Sequence, residues 1–107
     1  MISSDVIRGY NDLIILSLLL DQPSYGYAIS RQIRTMSEES YIIKETTLYS
    51  AFNRLKKQGH IKSFSATGKF GRQRTYYRIT DMGRAYYREK CKEWVLTKNV
   101  IEKFIKE

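Results

Sequence analysis

Residues 46–80 read TTLYSAFNRLKKQGHIKSFSATGKFGRQRTYYRIT, without a single aspartate or glutamate. In the first half, Leu48, Phe52 and Leu55 recur at i, i+4 and i+7, the spacing of a helix face turned to a core. Thr46, Ser50, Asn53 and Lys57 fall on the opposite face, flanked by Tyr49 and Lys56. The spacing predicts a helix from about Thr46 to Gln58. Gly59 stands where a left-handed C-terminal cap needs a residue without a Cβ. Two runs rich in strand formers follow, His60–Thr67 and Arg74–Thr80, and Gly68-Lys-Phe-Gly71 between them supplies the glycines of a hairpin tip.

Upstream, Asp5–Leu20 reads as a helix capped by Ser4 or Asp5 and stopped before Pro23. A buried strand would explain Leu13–Leu20 alone, but not sixteen residues without a turn signal. Gly9 weakens its first turns. Ser24 is positioned to cap a second helix, Tyr25–Met36, with Tyr25, Ala28, Ile29, Ile33 and Met36 at helical spacing. Ser37–Ser40 is a polar loop, and Tyr41–Ile43 is expected to add a brief strand. Downstream, Thr80 and Asp81 open a helix that is expected to run to the terminus, with Gly83 as a local weakness. Its 27 residues would span roughly 40 Å and project beyond the body. The fold expected is mainly α (α+β): a winged helix-turn-helix with a two-stranded β wing and a long C-terminal helix. Residues 1–80 would form the DNA-binding domain and residues 81–107 a dimerisation helix.

The 107 residues suit one domain, and the formal net charge is +8. Arg54, Lys56, Lys57, Lys62, Lys69, Arg72, Arg74 and Arg78 put eight of the 19 Lys and Arg in the acid-free segment, leaving 11 to balance 11 acids elsewhere. Any surface helix has a polar face, and scattered lysines are often only solubilising. A segregated basic third is different, because like charges repel unless a polyanion relieves them. Among function classes, catalysis has little to work with. One His and one Cys cannot make a Cys/His zinc site. No phosphate-binding glycine loop or nucleophile elbow is present, so neither enzyme, cofactor nor metal is expected. His60, at the helix-to-hairpin joint, reads as structural. The longest apolar run is eight residues, against about 20 for a membrane span. Acids precede that run, as they do not in a signal peptide, and the lone Cys91 suits a reducing compartment. The expectation is cytoplasmic.

In a winged helix, the helix before the hairpin enters the DNA major groove. Asn53 can bridge an adenine edge, while Thr46, Ser50 and Tyr49 can donate to phosphate or base. Lys69, Arg72 and Arg74, beside Phe70 at the tip, can follow the phosphate backbone or dip into the minor groove. Two non-enzyme classes result: a dimeric repressor on a double-stranded DNA operator, and, as the alternative, a winged-helix interaction module binding an acidic protein, RNA or an anionic membrane surface.

Three stretches resemble the PadR type of bacterial transcriptional regulators: Pro23-Ser-Tyr-Gly-Tyr-Ala-Ile29, Thr47-Leu-Tyr-Ser-Ala-Phe-Asn-Arg-Leu55 continuing to Gly59-His-Ile61, and Gly71-Arg-Gln-Arg-Thr-Tyr-Tyr-Arg-Ile-Thr80 with Gly83. The length resembles the short subfamily with a single C-terminal helix. Ser50 stands where the family often has Pro, and Lys56 where it often has Glu, so operator preference does not carry over. The resemblance places Tyr49, Asn53 and Arg54 in the recognition helix and Arg72 and Arg74 in the wing, and makes Tyr25, Gly26 and Tyr27 chiefly structural. The candidate DNA contacts are therefore Thr46, Thr47, Tyr49, Ser50, Asn53, Arg54 and Lys57 of the helix, and Lys69, Arg72, Arg74 and Tyr76 of the wing. Tyr76 and Tyr77 point to opposite faces of a strand, so at most one is core.

The last helix carries more apolar surface than one domain can hide. Positions 87, 91, 94, 98, 101 and 105 step by four and three, interrupted only by Lys98. Tyr87, Cys91, Trp94, Ile101 and Ile105 are the candidate homodimer interface, as the resemblance also implies. In some short PadR-like multidrug sensors a tryptophan on this helix stacks on aromatic drugs. Trp94 is either such an effector contact or, more plainly, an interface anchor, and Cys91 reads as a buried interface thiol rather than a redox sensor. The function expected is a dimeric repressor released by a small aromatic or phenolic molecule.

Overall fold

The structure is a computed structural model that describes residues 1–106, with Lys69 described by its main chain only. The N-terminal helix is not continuous. It runs as Ser4–Ile7 (α1), a 3-10 turn Arg8–Tyr10 containing Gly9, and Asn11–Ser17 (α2). Glycine loses the most backbone freedom in a helix, so the break falls where the helix is cheapest to interrupt. Ser3, not Ser4 or Asp5, provides the cap: its Oγ accepts from the Val6 N–H at 3.4 Å. At the other end, Ser17 Oγ donates to the Ile14 carbonyl at 2.6 Å, and Leu18 bonds to both Ile14 and Ile15 carbonyls. The helix therefore closes before Leu20.

Ser24–Tyr25 (β1) forms a two-residue strand, and the next helix, α3, starts at Gly26 and ends at Met36. Ser24 is thus a ladder residue instead of a cap. Tyr41–Ile43 is not a strand, although Tyr41 and Ile43 are buried while Ile42 is exposed. Ser37 Oγ accepts from the Tyr41 N–H at 3.0 Å, and the Tyr41 hydroxyl donates to Asn11 Oδ1 at 2.6 Å. These side-chain bonds take the place of a ladder.

Helix α4 spans Glu45–Lys57, and Gly59 follows at φ +81°, as its place in the sequence requires. Strands β2 (Ile61–Thr67) and β3 (Gln73–Ile79) pair antiparallel in unbroken register from Ile61↔Ile79 to Thr67↔Gln73. β1 adds to the other edge of β3 through Ser24↔Tyr77 and Tyr25↔Tyr76, so the wing sheet has three strands rather than two, in the order β1-β3-β2. Helix α5 spans Asp81–Glu102 and stops short of the terminus. Thr80 Oγ accepts from the Gly83 N–H at 3.0 Å and donates to the Gly59 carbonyl at 2.7 Å, tying the start of α5 to the end of α4.

The core gathers Ile15, Leu16 and Leu19 of the N-terminal segment, Ile29 and Ile33 of α3, Leu48, Phe52 and Leu55 of α4, and Ile61, Tyr77 and Ile79 of the sheet. Phe52 stacks on Tyr77 with ring centroids 4.0 Å apart, locking α4 to β3. The described residues measure 54 × 29 × 22 Å with a radius of gyration of 15.1 Å. A compact chain of this length would give about 13 Å. The excess is α5 reaching past the body.

Candidate nucleic-acid interface

The core pattern on α4 turns the other face outward: Thr46, Tyr49, Ser50, Asn53, Arg54, Lys56 and Lys57 are exposed and Thr47 is half-buried. Thr46, Ser50, Asn53 and Lys57 line up along the middle. On one flank Tyr49 lies edge-on against Phe52 at 5.5 Å. Its ring also covers Gly26, where an added Cβ would come within 2.9 Å of Tyr49 Cζ. Gly26 thus leaves room for the tyrosine of α4. Beyond it, a groove of about 550 Å³ runs to the wing between Tyr25, Tyr27, Tyr49, Arg72 and Arg74.

The wing closes through the Gly68 N–H, which donates to the Arg72 carbonyl at 2.6 Å. Phe70 stands at the tip with φ +66° and 99% of its surface exposed. Arg72 is exposed beside it. Arg74 is engaged: its guanidinium lies 4.4 Å from the Tyr25 ring centroid and packs against Gly68. Tyr76 faces away from the core, stacked on Phe64 at 5.7 Å and edge-on to Tyr25 at 5.3 Å. Tyr77 is the buried one of the pair. Burial, with a smaller contribution from the nearby Tyr49, holds the Tyr77 phenol above the usual tyrosine range. The side chain of Lys69 lies outside the described residues.

On the other flank of α4 is a cleft of about 430 Å³ lined by Arg8, Asn11, Asp12, Thr46, Thr47, Ser50 and Arg54. Arg54 reaches across it to Asp12 in an ion pair. Asp12 and Arg8 escaped sequence reasoning because they lie outside the acid-free segment, and Arg8 is paired with Asp5 at 2.8 Å. Hence Thr46, Thr47, Ser50, Asn53 and Lys57 share one accessible surface, flanked by Tyr49, while Arg54 and Arg74 are both committed to neighbours within the chain.

Candidate interface residues on α5 split in two. Tyr87 and Cys91 are half-buried against their own chain, and the hydrogen bond to Cys91, then burial, raises the Tyr87 phenol above its ordinary pKa. Trp94 meets Tyr10 edge-on at 5.2 Å and remains exposed. Ile101 is exposed, as are Leu96 and Val100, while Phe104 and Ile105 are exposed past the end of α5 and not on it.

A helix with no acid after Glu45 in its first turn, presented by a three-helix core with a basic hairpin beside it, defines a winged-helix DNA-binding protein. The sequence model of the Transcriptional regulator PadR-like family matches residues 15–89, and the chain belongs to that family. A transcriptional regulator from Clostridium thermocellum is 61% identical over 99% of this chain and all of its own, with a TM-score of 0.91. A PadR family transcription regulator from hypervirulent Clostridium difficile is 36% identical over 90% of this chain and 98% of its own, with a TM-score of 0.77. A curated protein of Lysinibacillus sphaericus, itself uncharacterized, is 45% identical over 98% of this chain and 96% of its own length. Members of the family are non-enzymatic regulators that bind DNA and typically dimerise. Among the described residues, no helix is long and apolar enough to cross a membrane.

Proposed function

We propose that this regulator is a cytoplasmic dimeric repressor in which residues 1–80 bind DNA and residues 81–107 join two copies. The observation that carries the reading is the accessible row Thr46, Ser50, Asn53 and Lys57 on a helix locked to the wing by Phe52 and Tyr77. In this reading α4 enters the major groove, where Asn53 reads a base edge and Thr46, Thr47, Tyr49, Ser50 and Lys57 position the helix on bases and phosphates. Arg54 joins them once released from Asp12. The wing follows the phosphate backbone with Lys69 and Arg72, and Arg74 and Tyr76 brace it from the sheet. Two copies meet along α5 through Trp94 and Ile101 and just past its end through Ile105, with Tyr87 and Cys91 at the edge of the contact. Repression is relieved when a small aromatic molecule stacks at Trp94, whose exposed ring is backed by Tyr10.

Selection of bound sequences from random duplex DNA tests the reading. It should enrich a pseudo-palindrome with half-sites about 10 bp apart, or a multiple of that. Failure to enrich any sequence, or a site without two-fold symmetry, would contradict it. Asn53→Ala should relax preference at one base pair per half-site by about 1–3 kcal/mol. An equal loss on all sequences would make Asn53 a backbone contact.

A further inference from the structure

Asp12 is the one acid that an ion pair joins to the recognition helix among the described residues, and its surroundings are asymmetric. One carboxylate oxygen accepts from Arg54 Nη2 of α4. The other accepts from the Tyr86 hydroxyl of α5 at 3.4 Å. The Asp12 side chain is 13% exposed, whereas Arg54 is 46% exposed. The acid is therefore the fixed member of the pair, held from a second side, and the arginine is the member free to swing. Arg54 also lines the cleft that contains Thr46, Thr47 and Ser50, so a phosphate lying along α4 passes within its reach.

We propose that Asp12 is a positioning residue that withholds Arg54 from DNA phosphates, so that the arginine is released only into a closely seated complex. The inference rests on the DNA-binding reading above. Non-specific binding to duplex DNA comes from phosphate contacts alone. Transfer of Arg54 to a phosphate leaves a mostly buried carboxylate without its partner, a cost that loose encounters do not repay. Asp12 therefore removes the Arg54 contact from loose complexes on random DNA, whereas a closely seated operator complex makes that contact and bears the cost of breaking the pair. The same carboxylate touches α5 through Tyr86, so the restraint on the recognition helix is anchored on the helix assigned to dimerisation.

The test is a salt series of equilibrium binding to one random-sequence duplex and to the selected operator. It uses full-length wild type, Asp12→Asn and the double variant Asp12→Asn/Arg54→Gln. Asparagine keeps the shape and one carbonyl acceptor while removing the charge that holds Arg54, and Asp12→Ser serves if the asparagine variant melts early by circular dichroism. Asp12→Asn should bind random DNA several-fold tighter. Its slope of log affinity against log salt should steepen by about 0.9 for each arginine freed, or about 1.8 for a dimer. On the operator the slope should stay near that of wild type, because Arg54 already meets phosphate there, and the double variant should be no steeper than wild type on either duplex. An unchanged slope in Asp12→Asn on random DNA overturns the proposal. So does an equal gain in the double variant, which would mean that the carboxylate acts by its charge and not through Arg54. A wild type without salt-dependent binding to either duplex would overturn the DNA-binding reading as well, a result distinct from both.

Discussion

Gly83 and Gly26 each sit where a methyl group would collide, yet substitution should have opposite consequences. At Gly83 the added Cβ runs into the backbone carbonyl of His60 and comes within 2.8 Å of Ile79 Cγ1. Neither obstacle is the loose end of a side chain, so Gly83→Ala should force α5 away from the sheet and cost about 1–3 kcal/mol, read as a fall in the denaturation midpoint. At Gly26 the obstacle is the Tyr49 phenol, which can swing. Gly26→Ala should melt near wild type but weaken DNA binding, because the displaced ring belongs to the recognition helix. Equal melting losses in both variants would contradict this division. Tyr41 offers a third test, because its hydroxyl satisfies the buried Asn11 side chain. Tyr41→Phe should cost about 1–3 kcal/mol. Burial outweighs the Asn11 hydrogen bond and holds the Tyr41 phenol above its ordinary pKa. The native state thus keeps the proton longer, and this stability is full below the ordinary tyrosine pKa of about 10 and is lost as pH rises through the folded value. Denaturation at neutral and strongly alkaline pH should show a shallower alkaline decline in Tyr41→Phe than in wild type.

Helix α4 and the hairpin were legible because their signals are local: Leu48, Phe52 and Leu55 at helical spacing, Gly59 at the end, glycines at the turn. β1 was not legible, since two residues carry no period, and Ser24 looks equally like a helix cap until β3 is seen beside it. The break at Gly9 is a matter of degree, a weak residue in a segment whose apolar pattern continues on both sides. Within the candidate site the polar face of α4 could be read from sequence, but the Asp12–Arg54 pair could not, because 42 residues separate its members. Structure also divides the wing cations that sequence grouped together. Arg72 is free at the tip, whereas Arg74 is spread over Tyr25. In salt titrations Arg72→Ala should lower the slope of log affinity by about 0.9 per wing on operator and random DNA alike, leaving the preferred sequence unchanged. Arg74→Ala should lower the slope less and stability more. Equal slopes for wild type and Arg72→Ala would mean that the tip does not touch DNA.

In the whole molecule, α5 is the element whose sequence predicts more contacts than one chain supplies. Its stripe was legible as far as Ile105, and so was the apolar surface beside it. Leu96, Val100 and Phe104 lie off the four-and-three stepping and are nonetheless bare. Truncation after Glu89 should leave a monomer or an insoluble product, and sedimentation showing an intact dimer would remove α5 from the interface. The bare half of α5 also has a consequence for the energetics of the regulator in a cell. A surface of this kind is covered only by mass action, so folding and pairing draw on the same free energy and the melting temperature should climb with protein concentration. Each newly synthesised chain would therefore spend its first moments with an adhesive helix uncovered, and dilution alone would both loosen its grip on DNA and shorten its lifetime against proteases.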